Sequence, residues 1–406
     1  MELTENRDLR GGRSSWIACE ANTIVSDALP QGHCDIAIIG AGIMGSMLAE
    51  RLARQGRRVV LLDRRQPAHG STAASTALVM WGVDLPLTHL ASEIGEREAA
   101  RRWCRVNSAA RNLAEHIDQL GIDCGRIPRP ELYLAGTTLD NQALRAECEA
   151  RLSAGLLSSY LDAEAVAERF DIAPRAALLS EGSFEVDPVQ LTLGLLDRAR
   201  RQGALACFPI DVRGTNQRPD AIELHMSDGQ MIEADQLILA TGYERPTWFL
   251  PQAFKVGSSY AMASPPGKTP LWRENAMIWE ASSPYLYARV TIDGRVIAGG
   301  EDEDFSNAMH RDRQIGTKSG TIAAKLAKMI NVAKVEVDCA WSASFGSSPD
   351  GLPAIGRAAN HERLWLASGF GGNGVTFAAL GAELIAAELN GKADADAACF
   401  DPYRFG

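Results

Sequence analysis

Residues 35–63, DIAIIGAGIMGSMLAERLARQGRRVVLLD, decide the fold. DIAII is a short apolar run of buried-strand length, and Gly40-Ala-Gly42-Ile-Met-Gly45 follows it at once. Ile43, Met44, Met47, Leu48 and Leu52 then recur at helical spacing, with Gly56 as a stop. RRVVLLD reads as the next strand and ends on Asp63. In such a unit Gly40 allows the tight turn, Gly42 lets backbone approach a pyrophosphate, and Gly45 lets helix and strand pack closely. The helix N-terminus offers free N–H groups and the positive end of its dipole to phosphates. Asp63, about twenty residues on, is placed to accept hydrogen bonds from a ribose. A glycine turn with packing duty alone would not need the second strand and its terminal acid. The unit predicts dinucleotide binding, and it does not separate NAD from FAD.

The chain of 406 residues is long enough for two domains or one large interleaved one. It is 46% apolar and 23% charged, and its formal charge of −10 argues against nonspecific nucleic-acid binding, which needs a basic footprint. Eight cysteines are scattered without C-x-x-C or Cys/His metal spacing. They predict reduced thiols and no metal site, as in a cytoplasmic protein. No apolar signal-peptide core opens the chain, and no run approaches the roughly 18 apolar residues of a membrane span.

Further along come long amphipathic helical stretches such as LASEIGEREAARRWCRVNSAARNLAEHIDQLG, residues 90–121. SFEVDPVQLTLGLLDRARRQGALACFPIDV, starting at Ser183, returns to helix then strand. AIELHMSDGQMIEADQLILATGY reads as a hairpin turning at Ser227-Asp-Gly229 and closing on a buried strand. A second hairpin, YLYARVTIDGRVIAGG, turns at Asp293-Gly294. LWLASGFGGNGVTFAALGAELIAAEL gives a strand, a glycine-rich loop and a helix from about Gly374.

This series of motifs resembles the FAD-dependent oxidoreductases that include D-amino-acid oxidase, glycine oxidase and sarcosine oxidase. The carriers are IIGAGIMG with LLD, GSTAAS at 70–75, VDPVQL at 186–191, ATG at 240–242, PDGLPAIG at 349–356 and GFGGNGVTFA at 369–378, in the family's order. The resemblance implies an α/β fold: a Rossmann-like FAD-binding domain of the glutathione-reductase type, with a substrate domain built on an antiparallel sheet plus helices. It divides the chain into an N-terminal arm (1–33), a discontinuous FAD-binding domain (34–85, 180–245 and 340–406) and a substrate domain (86–179 and 246–339). The arm's GGRSSW reads either as a segment laid on the FAD-binding domain and anchored by Trp16, or as disordered chain.

FAD is thus the implied cofactor. Gly40, Gly42, Ile43, Met44, Gly45, Asp63 and Arg64 belong to the first unit. Gly70, Ser71, Thr72 and Ser75 match the diphosphate and flavin run. Val212 matches a residue whose backbone meets the adenine, and Thr241-Gly242 closes the nucleotide site. Gly371, Gly372, Asn373, Gly374, Val375 and Thr376 match the loop around the flavin's pyrimidine edge. Where relatives attach FAD covalently, this chain has Ala74 for the histidine and Ala343 for the cysteine, so the flavin is expected to be noncovalent.

The substrate side departs from the family. In the glycine-oxidase type an arginine after the tryptophan clamps the substrate carboxylate; aligning Trp341, Asp350-Gly351 and Pro353 puts Phe345 there. Phenylalanine cannot imitate that bidentate fork. Tyr285, Arg289, Phe345 and Trp341 are the expected substrate-pocket residues, with Trp81 a further aromatic. Arg289 is expected on the face of Tyr285 and Tyr287 and is the best available cation, although a salt bridge also explains it. Ile297 takes the place of an oxygen-activating lysine in some oxidases, so the electron acceptor is O₂ or another molecule. The implied activity is oxidation of a C–N bond in a small amine or amino-acid-like substrate. A FAD-dependent dehydrogenase of a hydroxy acid or polyol, and a noncatalytic flavin-binding subunit, are the alternatives.

Overall fold

The computed structural model describes residues 3–5, 7–17, 24–246 and 248–405. The opening unit folds as read: strand His33–Ile39, helix Ile43–Arg54 and strand Val59–Leu62. These strands pair in parallel, Ile36 against Val59 and Ile39 against Leu62. Met231–Leu239, Leu364–Ser368 and Leu205–Cys207 extend the parallel sheet, and Ala354–Arg357 adds an antiparallel edge. Apolar side chains leave both faces, as a sheet covered on two sides requires. Ile36, Ile38, Val59 and Leu61 pack in one cluster with residues of helices Ile43–Arg54, Pro188–Arg201 and Gly374–Leu389. Ala37, Val60, Leu62 and Leu237 pack on the other side with Ile222 and Leu224 of the hairpin Ile222–Met226/Met231–Leu239.

A second, ten-stranded sheet runs Arg10–Gly12, Cys339–Ser347, Lys255–Ala263, Val296–Glu303, Leu286–Val290, Met277–Glu280, Ile127–Leu134, Ala177–Glu185 and Leu78–Val79, with Ser158–Leu161 also on Ala177–Glu185. All its pairs are antiparallel except Met277–Glu280 beside Ile127–Leu134. Helix Ile315–Met329 supplies Ile322, Ala323 and Leu326 to the core beneath it.

One expectation is refined and two need correction. The segment 90–121 is two helices, Leu87–Ile94 and Glu96–Leu120, because Gly95 between them takes φ +85°, a left-handed conformation that breaks helical geometry. The boundary drawn at residue 340 falls inside a strand, since Cys339–Ser347 lies wholly in the larger sheet, paired with Lys255–Ala263. The arm does not lie on the nucleotide-binding sheet alone. Arg10–Gly12 pairs with Trp341–Ala343 as an edge of the larger sheet, while the Trp16 indole N–H donates to the Ser75 carbonyl at 2.7 Å.

The Pro349-Asp350-Gly351 turn is tied to the end of the chain. Asp350 accepts from Arg404 Nε and Nη2, each at 2.8 Å, and Arg404 Nη1 also donates to the Pro353 carbonyl. No helix among the described residues is long and apolar enough to cross a membrane. The seven described cysteines are free thiols.

Candidate functional site

In an open parallel sheet, ligands sit beyond the carboxyl ends of the strands. Here Ile39-Gly40, Asp63, Ala240-Thr241-Gly242, Ala367 and Gly369 converge on a cavity of about 390 Å³. The cavity runs from these strand ends to the larger sheet, where Ser259, Tyr285, Tyr287, Ala343 and Phe345 join its wall.

At one end, Gly40 takes φ +115°, and a Cβ there would run into the Ala240 carbonyl. Helix Ile43–Arg54 begins at Gly42 with no side-chain cap. The Ile43 N–H donates to Thr72 Oγ1 at 3.0 Å, so the GSTAAS run is fastened to that helix end. Asp63 accepts from the Ala41 N–H at 2.7 Å and the Arg65 N–H at 2.8 Å, and burial pushes its carboxyl upward despite them. Arg64 and Arg65 both pair with Glu244, the second at 2.6 Å. Ile210, Asp211 and Val212 form the neighbouring wall.

Most expected cofactor residues line this cavity: Gly40, Gly42, Ile43, Met44, Asp63, Arg64, Gly70, Ser71, Thr72, Ser75, Val212, Thr241, Gly242, Gly372, Asn373, Gly374 and Val375. Gly45, Gly371 and Thr376 stand behind the wall. A Cβ at 45 would overlap the Gly40 carbonyl oxygen, the Gly371 N–H donates to the Gly346 carbonyl at 2.8 Å, and Thr376 Oγ1 donates to the Met80 carbonyl at 2.7 Å. Ala74 and Ala343, the residues expected in place of covalent-attachment side chains, both line the cavity.

Of the expected substrate residues, Tyr285 and Phe345 line the cavity and Trp341 and Arg289 do not. Trp341 shares a face with Phe345, but four residues at about 3.3 Å each carry it some 13 Å along the strand. Its indole donates to the Ala74 carbonyl at 2.9 Å, so it holds the GSTAAS run from behind. Arg289 stands equally far beyond Tyr285. It is buried, donates to the Val186 carbonyl at 2.9 Å, lies 3.5 Å from Glu185 and stacks on Trp16 at 5.2 Å. Burial lowers its pKa to about 10, which leaves it charged and already occupied. Trp81 donates to the Glu181 carbonyl and is core, as is Ile297.

Sequence reading missed Asp84, Tyr243, Glu280 and Asp302. Asp84 lies in a plain apolar run, and Asp302 lies in the acidic stretch Glu301–Asp304 that reads as a solvated turn. In the fold Asp84 Oδ2 accepts from the Gly372 N–H at 2.7 Å, and Asp302 Oδ2 accepts from the Tyr285 hydroxyl at 2.7 Å.

A nucleotide site on parallel strand ends that opens into a pocket on a second sheet defines a dinucleotide-dependent enzyme with a separate substrate wall. The chain belongs to the family of FAD dependent oxidoreductases (DAO), whose family model matches residues 35–388. Mitochondrial dimethylglycine dehydrogenase of Mus musculus is 23% identical over 92% of this chain, which spans 44% of that enzyme's length. The fold is similar to that of L-proline dehydrogenase from P. horikoshii, with a TM-score of 0.75, 20% identity, and 93% of this chain and 98% of that one covered. Glycine oxidase from Geobacillus kaustophilus gives a TM-score of 0.72 at 19% identity, covering 92% of this chain and 98% of that one.

The cavity fits FAD. Two uncapped helix N-termini, at Gly42 and Asn373, open on it and suit a diphosphate and an electron-rich ring. Ser71 Oγ, on its wall, is buried without a hydrogen-bond partner, as a hydroxyl kept for a ligand would be.

The arm straps this site. Leu3, Thr4 and Leu9 line the cavity, Arg64 donates to Thr4 Oγ1 at 3.2 Å, and the Ser344 N–H donates to the Leu9 carbonyl at 2.8 Å. Deleting residues 1–9 is expected to speed FAD release on dilution about tenfold, equivalent to about 1.4 kcal/mol. Flavin fluorescence recovered over time measures it, and an unchanged release rate would show that the strap contributes nothing.

Proposed function

We propose that the protein oxidises a C–N bond of a small amine or amino-acid-like substrate, with the imine product hydrolysed by water. FAD, bound noncovalently, supplies the acceptor for the hydride. The strand ends and helix N-termini hold its diphosphate, Asp63 takes a ribose hydroxyl, and the segment 372–375 borders the ring. Tyr285 and Phe345 then place the substrate C–H on the facing side of the cavity.

The observation that carries this reading is the substrate wall itself. It combines aromatic faces and carboxylates, and among the described residues lining the cavity there is neither histidine nor lysine. Alcohol oxidation must take a proton from a hydroxyl, for which a histidine base is the usual device. An amine's own lone pair drives hydride loss, and freeing that lone pair from the ammonium form takes a far weaker base than a hydroxyl needs, a role the carboxylates on the wall can fill.

Anaerobic mixing with panels of amines and of hydroxy acids, following flavin bleaching, tests the reading. Bleaching by amines alone is expected. Bleaching by hydroxy acids alone would move the protein to the dehydrogenase reading, and none with either panel would favour a noncatalytic flavin subunit.

A further inference from the structure

The cavity's cations and its free acceptors lie at opposite ends. Arg64 and Arg65 are its lining guanidiniums, and both belong to the ribose end with Asp63 and Glu244. The wall around Tyr285 carries Asp84 and Glu280 with aromatic faces beside them. Glu280 is satisfied: it pairs with Arg175 and accepts from the Leu286 N–H at 2.9 Å.

Asp84 is in a different condition. It opens on the cavity, accepts one backbone N–H, from Gly372, and is in no described ion pair. Enclosure by protein pushes its carboxyl up to about 6, and the charge of Asp302 adds to the effect. Asp302 stands behind Tyr285. Its Oδ2 accepts the Tyr285 hydrogen bond, and Ser259 also hydrogen-bonds to this buried carboxylate. Lys318, whose charge reaches Asp302, is itself paired with Glu303 at 2.5 Å.

The Tyr285–Asp302 bond has a consequence for the cavity. Burial and the Asp302 charge raise the Tyr285 pKa well above its usual value, so the phenol stays protonated and donates its hydrogen bond to Asp302. What Tyr285 presents to a ligand is therefore its lone pairs, an acceptor rather than a donor. An unpaired carboxylate and a hydroxyl locked as an acceptor leave a carboxylate ligand without a donor from either. A positive nitrogen satisfies both, and the aromatic rings of Tyr243 and Trp279 also line this cavity.

We propose that the substrate end of this cavity recognises an organic ammonium group, held by Asp84 and by the Tyr285 oxygen that Asp302 orients, and takes amines without a carboxylate on the reacting carbon. This specificity rests on the C–N reading for its reaction, but the binding site itself can be read without turnover. Asp84 and Tyr285 are the binding residues, and Asp302 is a positioning residue that acts through Tyr285.

The FAD-loaded enzyme titrated with tert-butylammonium, which has N–H donors but no C–H on the carbon beside its nitrogen to lose, is expected to show a saturable change in flavin absorbance. Acetate at the same concentrations is expected to show none. Asp84→Asn, which keeps an acceptor for the Gly372 N–H, should weaken the cation's affinity at least tenfold; Tyr285→Phe should weaken it several-fold and serves if the first variant does not fold. Asp302→Asn should weaken the cation only while Tyr285 is present, a dependence that a merely structural role would not produce. Acetate binding in place of the cation, or unchanged cation affinity in a folded Asp84→Asn, would overturn the proposal. Cation binding by a protein whose flavin no amine reduces would retire the C–N reading and leave this site standing. Reduction by amines with no response to the cation would do the reverse.

Discussion

Gly45→Ala is expected to leave the protein without FAD. The first turn of helix Ile43–Arg54 lies so close to the turn after strand His33–Ile39 that a single methyl at 45 would overlap the Gly40 carbonyl oxygen. Leu61 Cδ1 would also stand only 3.3 Å from the added methyl, but the backbone overlap is the contact that cannot yield cheaply. The helix must move off the sheet, and its N-terminal N–H groups move with it, out of register with the diphosphate they serve. Overpacking at such a contact costs roughly 1–3 kcal/mol, and more where backbone rather than a side chain must give way. Flavin content per purified chain should fall at least tenfold, with a lower Tm in the apo form. Full flavin occupancy in the variant would show that the helix end does not hold the cofactor.

Phe345→Arg is expected to do the opposite: keep the flavin and lose the reaction. Phe345 lies on strand Cys339–Ser347 opposite Gly257, lines the cavity, and meets the edge of Tyr243 with ring centres 6.4 Å apart. A guanidinium placed there would bring a fixed positive charge to the substrate wall. It would repel a cationic amine and offer itself to Asp84, the acceptor the amine would use. kcat/KM for the best amine substrate should fall by roughly 100-fold, or about 2.7 kcal/mol, with flavin content within twofold of the original. Substrates bearing a carboxylate should lose far less, or gain. Loss of FAD with unchanged turnover per bound flavin would overturn the placement of Phe345 on the substrate side.

The cofactor half of the cavity was legible because its demands are local. A turn that needs Gly40 at positive φ, a helix start without a side-chain cap, and an acid closing the next strand all fall within thirty residues of chain. The same holds for the Ser227-Asp-Gly229 and Asp293-Gly294 hairpins, whose turn residues announce themselves. Gly95 carries no such signal, because a single glycine within an otherwise helical pattern does not show whether the helix tolerates it or stops. The substrate half was only partly legible. Tyr285 and Phe345 were found through alignment with relatives, while Asp84 and Asp302 carry no local signature at all.

By itself the sequence determined the dinucleotide unit, the order of the motifs, and a phenylalanine at position 345. Those features depend on dihedral preference, periodicity and residue identity, which the chain carries at each position. Periodicity also placed Arg289 on the face of Tyr285 and Trp341 on the face of Phe345, and there it stopped. A period of two says which side of a sheet a residue takes, whereas about 3.3 Å of rise per residue decides whether it reaches the cavity. Only the tertiary structure decided that Arg289 is engaged by Glu185 and Val186, and that Trp341 supports the run at Ala74. It alone brought Asp84 to Gly372, 288 residues away, and set Asp302 behind Tyr285. The charge of the substrate wall is a sum over side chains from separate strands and loops, and no single segment of the chain contains it.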